Sequence, residues 1–168
     1  MITLRISSTL FEEMLRDLRR PHEYAAERVG FMHCRESALR SGNLLLAQKY
    51  HPIRDDQYLE DGSVGARFDG SAIREAMQTA LSEATSVFHV HLHEHRGLPR
   101  FSGIDKREMR QIMPCFVNLC PDRLHGALVL SADRALATIW GAELPPQGQA
   151  PGKISLVGSR MEFWVNHD

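Results

Sequence analysis

Between positions 87 and 105 the chain reads Val-Phe-His-Val-His-Leu-His-Glu-His-Arg-Gly-Leu-Pro-Arg-Phe-Ser-Gly-Ile-Asp, with His89, His91, His93 and His95 in strict alternation. Alternate residues of a strand share a face, so the imidazoles line one side and Phe88, Val90 and Leu92 the other. A face of unpartnered imidazoles packs poorly and is partly charged near neutral pH. Neutral imidazole is also the commonest metal ligand, and zinc gathers three or four N, S or O donors in a tetrahedron. Asp105 adds an oxygen donor after a turn containing Gly97 and Pro99. The chemistry predicted is metal binding. Successive histidines on one strand face are roughly 7 Å apart along the backbone, within reach of one ion. His89 with His91, His91 with His93, and His93 with His95 are therefore all open registers. The later ones are favoured, because sites collect where a strand meets its loop. The outer pair, His89 and His95, then reads as supporting or surface histidine.

A metal site that hydrolyses also needs a carboxylate that moves a proton without binding the ion. Glu27, three residues before Gly30 at the start of a predicted strand, is one candidate. Glu94, on the opposite strand face, and Glu108, about one helical turn beyond Asp105, are its rivals. Ser102 and Asp105 have capping-box spacing ahead of an apolar periodic run. Ser102 can cap a helix and still serve elsewhere. Asp105 as a pure dipole partner would leave the histidines one protein ligand short. His33 and Cys34 read as core or surface residues.

These residues need a scaffold. Residues 2–6 alternate as a strand, and Leu10, Phe11, Met14, Leu15 and Leu18 recur at helical spacing up to Pro21. Segments 27–35 and 43–50 predict two strands joined around Ser41-Gly42. Residues 55–70 are polar and Gly-rich, which predicts a mobile loop with a short extended piece at 66–68. Asp69-Gly70-Ser71 caps a second helix bearing Ile73, Ala76, Met77, Ala80 and Leu81. The histidine strand follows, then a third helix from near Ser102 that Pro114 should kink or divide. A hairpin over Ala132-Asp133 joins 124–130 to 135–140, residues 144–152 form a Pro/Gly/Gln loop, and 153–164 supply one or two closing strands. The expected class is α/β (α+β): one domain over residues 1–168, a mixed sheet flanked by helices.

Composition narrows the rest. The chain has 168 residues, is 43% hydrophobic and carries a formal net charge of −1, enough for a real core and without the basic stripe of a nucleic-acid binder. No apolar run approaches a membrane span and no signal-peptide pattern opens the chain. Three scattered cysteines form neither a disulfide framework nor a zinc knuckle. The expectation is a soluble, cytoplasmic protein with no nucleic-acid or membrane partner.

Taken together, Glu27 (with Gly30), His91-Leu-His93, Ser102 and Asp105 resemble the JAMM motif of the JAB1/MPN/Mov34 metalloprotease family, and the order of predicted elements is similar over nearly the whole chain. Two details depart from the pattern: His93 and Ser102 are one residue further apart than usual, and Glu94 stands where the family commonly has Pro. The resemblance implies a zinc-dependent peptidase or isopeptidase of the compact bacterial kind. It implies that His91, His93 and Asp105 hold Zn²⁺, that Glu27 is the general base and that Ser102 stabilises the oxyanion. The implied substrate is the C-terminal tail of a ubiquitin-like or sulfur-carrier protein, held extended on an exposed strand edge, with E1- and E2-like proteins as pathway partners. Two other classes compete: a metal-free MPN-type interaction scaffold, and another zinc hydrolase of the amidohydrolase or metallo-β-lactamase type. The latter need more ligands downstream, where only His125 and His167 follow His95.

Overall fold

The histidine run forms the strand β4, Ser86–Leu92, and every residue in it is buried. Strands buried on both faces sit inside a sheet that is covered on both sides. In this computed structural model, which describes residues 1–158 and 162–164, β4 lies third in a mixed eight-stranded sheet. In chain order the described elements are β1 (Ile2–Ser7), α1 (Ser8–Leu18), β2 (Val29–Leu39), β3 (Gly42–Pro52), α2 (Gly70–Glu83), β4, α3 (Gly103–Leu119), β5 (His125–Leu130), β6 (Ala135–Trp140), β7 (Lys153–Val157) and β8 (Glu162–Trp164). The sheet order is β6-β5-β4-β2-β3-β1-β7-β8. β4 runs antiparallel to β2 and parallel to β5. The expected mixed α/β single domain is what the chain adopts.

Alternation along β4 separates two cores. Phe88, Val90 and Leu92 join the apolar cluster that Leu10, Phe11, Met14 and Leu18 of α1 cover. Val87 joins the opposite cluster, roofed by Ala72, Ala76 and Ala80 of α2 and by Met109, Met113 and Phe116 of α3. His89 and His91 share that second face. Each helix starts on a side-chain cap, Ser7, Asp69 and Ser102 respectively, the last two at the predicted capping positions.

Two details differ from the expectation. α3 runs undivided from Gly103 to Leu119 with Pro114 inside it. Pro114 sits on the exposed face, where water can take the carbonyl its ring leaves unbonded, while Met109, Met113 and Phe116 anchor the helix on both sides of it. β2 begins at Val29, so Glu27 lies in a bend ahead of the strand and not in it. Within residues 55–70 the expected extended piece is present: a short 3₁₀ turn (Asp55–Gln57) leads to it, with Tyr58 bridging Phe68 and the Leu59 N–H donating to the Arg67 carbonyl. Of the predicted closing segment, β7 and β8 are described; residues 159–161, like His167, lie outside the described residues. No helix among the described residues is long and apolar enough to cross a membrane.

Candidate metal centre

β4 ends at Leu92, and the His93 N–H still donates to the Leu130 carbonyl of β5 at 2.9 Å. That bond carries the strand geometry one residue further. His91 and His93 therefore project on the same side, with ring centroids 4.9 Å apart. The next elements return the chain over them, because Ser102 starts α3 directly above the strand end. Ser102 and Asp105 form the reciprocal cap: the Asp105 N–H donates to Ser102 Oγ at 3.1 Å, and the Ser102 N–H donates to Asp105 Oδ2 at 2.6 Å.

The same carboxylate faces both imidazoles. His91 Nε2 lies 3.5 Å from Asp105 Oδ1, and His93 Nε2 lies 3.7 Å from Asp105 Oδ2. Donors about 2.1 Å from a tetrahedral zinc stand about 3.4 Å from one another, so these spacings suit an ion between the groups better than direct hydrogen bonds. Capping and ligation do not compete here, because a carboxylate has about four lone-pair sites. Burial pushes the Asp105 carboxyl up, but the His91 ring beside it and the Ser102 cap outweigh that and hold it well below the usual carboxylate range.

A second carboxylate converges from across the sheet. Val29 of β2 pairs with His91, so in an antiparallel register Glu27 falls opposite His93 on the same face. Donor atoms of Glu27, His91 and His93 all lie within 4.8 Å of one another. The Glu27 N–H donates to the Gly65 carbonyl at 3.0 Å, and a Cβ at Gly65 would come within 3.1 Å of Glu27 Oε2. A side chain at 65 would therefore press on this carboxylate.

A fit to zinc can be tested on His91 itself. It is 2% exposed, and neither ring nitrogen has a hydrogen-bond partner among the described residues. Buried imidazole nitrogens are normally satisfied. An ion between His91, His93 and Asp105 would satisfy Nε2, and the donor set of two imidazoles and one carboxylate is a zinc set with one position open. The residues fit.

The remaining candidates separate cleanly. His89 is not a surface residue: it is buried between Phe31 and Phe68, and burial, with His91 next, lowers its pKa to about 3. His95 is exposed, its Nδ1 2.9 Å from the Arg96 carbonyl. Glu94 is exposed in a cleft that Arg19, Leu92 and His95 also line, and it is not among the groups that meet His91 and His93. Glu108 is half-buried, and burial followed by the charge of Asp105 raises its carboxyl. His33 and Cys34 are both core residues.

Sequence reasoning missed the apolar surroundings. Phe101 packs 6.1 Å from the His91 ring and opens a groove of about 480 Å³ along α3, with Met109 and Trp140 in its lining and Lys106 and Arg110 beside them. The outer edge of β6 is joined at Ile139 by Gln149, so that strand edge is only partly open to a substrate strand. Phe101 alternates with nothing and caps nothing, which is why no local pattern marked it. No protein-family model matches this chain, and no curated protein is detectably similar to it in sequence.

Proposed function

We propose that this chain is a zinc-dependent peptidase or isopeptidase of the JAMM type. It would cut after the C-terminus of a ubiquitin-like or sulfur-carrier protein, to release it from conjugates or mature its precursor. The observation that carries the reading is the convergence of His91, His93 and Asp105 at 3.5 and 3.7 Å, with the His91 nitrogens buried and unpartnered and Glu27 beside them. His91, His93 and Asp105 would hold the zinc. When bound, zinc supplies Lewis acidity, which polarises a carbonyl and acidifies a water. Glu27 takes the proton of the attacking water on its carboxylate and returns it to the leaving amine. The Ser102 hydroxyl, its lone pair already used by the Asp105 N–H, keeps its proton free to donate to the developing oxyanion. The groove of about 480 Å³ beside Phe101, with Met109 and Trp140 in its lining, would take an apolar substrate side chain next to these groups. Conjugation-pathway proteins of the E1 and E2 type would be the partners that build the substrate.

The test is cleavage of a ubiquitin-like domain fused through its terminal glycine to a fluorescent protein, with zinc content measured on the same samples. Wild type should cleave, and a chelated sample should not. Glu27→Gln should keep its zinc and lose at least 10²-fold in rate, since a positioned general base contributes about 10² to 10⁴-fold. Cleavage that survives both treatments would exclude this mechanism.

A further inference from the structure

Glu27 has to be aimed, yet it stands outside the sheet, and among the described residues its carboxylate accepts no hydrogen bond. Besides the bond from the Glu27 N–H to the Gly65 carbonyl, what holds it from the strand side is the next residue. Arg28 is 3% exposed. Its Nε donates to the Arg20 carbonyl at 2.8 Å, and its Nη2 donates to the Pro21 carbonyl at 3.3 Å and to Asp55 Oδ1 at 2.8 Å. The guanidinium also lies over the Tyr58 ring, 5.7 Å from its centroid. Tyr58 in turn holds Val29 from both sides: the Val29 N–H donates to the phenol oxygen at 2.9 Å, and the phenol donates to the Val29 carbonyl at 3.2 Å. Residues 28 and 29 are thereby pinned to the 55–58 segment, and Glu27 follows them in the chain.

Stability alone does not account for this arrangement. A buried cation is costly unless fully paired, and Arg28 Nη1 is buried with no partner, while the one carboxylate it meets, Asp55, is 61% exposed in its side chain. A well-packed apolar residue would hold a loop at lower cost. What a guanidinium fork adds is direction, because three bonds in one plane fix the backbone that bears it.

We propose that Arg28, seated on Asp55 and Tyr58, is a positioning residue that aims the Glu27 carboxylate at the His91–His93 pair. This rests on the reading of Glu27 as general base. The experiment is a double-mutant cycle on the same fluorescent fusion, using Arg28→Gln, Glu27→Gln and the pair, with zinc content and thermal melts recorded for each. Arg28→Gln should lower kcat on the order of 10²-fold, the cost of a misplaced group, with KM and zinc content unchanged. In the Glu27→Gln background it should cost nothing further, because the group it aims is already gone. Asp55→Asn, at a largely exposed site, should lower kcat in the same direction by less, and it carries the test if Arg28→Gln fails to fold. A wild-type kcat in the folded variants, or a full additional loss in the Glu27→Gln background, would overturn the proposal. Wild-type activity in Glu27→Gln alone would instead remove the general-base reading, so the two failures are told apart.

Discussion

His91 and His125 are buried imidazoles on neighbouring strands, and the fold treats them in opposite ways. His125, at the start of β5, has both nitrogens engaged: the Val87 N–H donates to Nδ1 at 3.2 Å, and Nε2 lies 3.2 Å from the Cys120 carbonyl. That fixes its proton on Nε2, and its ring stacks on Phe116. His91 has no such bond at either nitrogen, and the Asp105 carboxylate stands 3.5 Å from its Nε2. Burial is the same in both. What differs is whether the protein satisfies the ring; His89 is likewise unpartnered at both nitrogens, so what singles out His91 as a candidate ligand is the Asp105 carboxylate and the His93 ring that face it.

The sharpest way to break the comparison is to count zinc. His91→Ala, His93→Ala and Asp105→Ala should each lose most of a stoichiometric ion by elemental analysis, while His125→Asn should keep it and lower only the melting temperature. His89→Ala should also keep it. Zinc retained in His93→Ala but lost in His89→Ala would move the site to the His89–His91 pair.

The next largest effect falls on Ser102, a cap in the structure and an oxyanion donor under the proposed function. As a cap its removal costs about 1 kcal/mol of stability; as an oxyanion donor its removal costs on the order of 10² in kcat. Ser102→Ala should show both, by denaturation and by steady-state cleavage. An unchanged kcat in the folded variant would make it a cap alone.

The smallest effect sharpens the structural side. Burial lowers both His33 and His125 to about 4, against 6.5 when unfolded. Below pH 6.5 the unfolded chain takes up protons that the folded one refuses, so stability falls as pH drops from about 6.5 towards 4. Melting temperature followed over that window should decline. In His125→Asn the decline should be shallower, and an equal slope would show that His125 is not among the groups responsible.

Parts of this were legible in the sequence for identifiable reasons. Alternation of imidazole with Phe88, Val90 and Leu92 could only be a strand with two unlike faces, and the Ser102–Asp105 spacing marked the start of α3. The approach of Glu27 was not readable locally. It depends on β2 lying beside β4 with Val29 opposite His91, a pairing that sheet order decides. Pro114 misled, since the local rule for proline is weaker than the packing of Met113 and Phe116 around it. Arg28 was invisible for the opposite reason: an arginine in the first residues of a predicted strand reads as solvated until the 55–58 segment is seen closing over it.

His91, His93 and Asp105 sit within one strand–turn–helix passage of the chain, whereas Glu27 lies beyond β2, β3 and α2 and joins them only through the β2–β4 pairing. Contacts between near neighbours in sequence close short loops and form early; distant ones wait for topology. The two halves of the centre therefore mature in order during folding. On the proposed function, a partly assembled chain with β4 and α3 docked would already capture zinc, and cleavage would arrive last, when the sheet is complete.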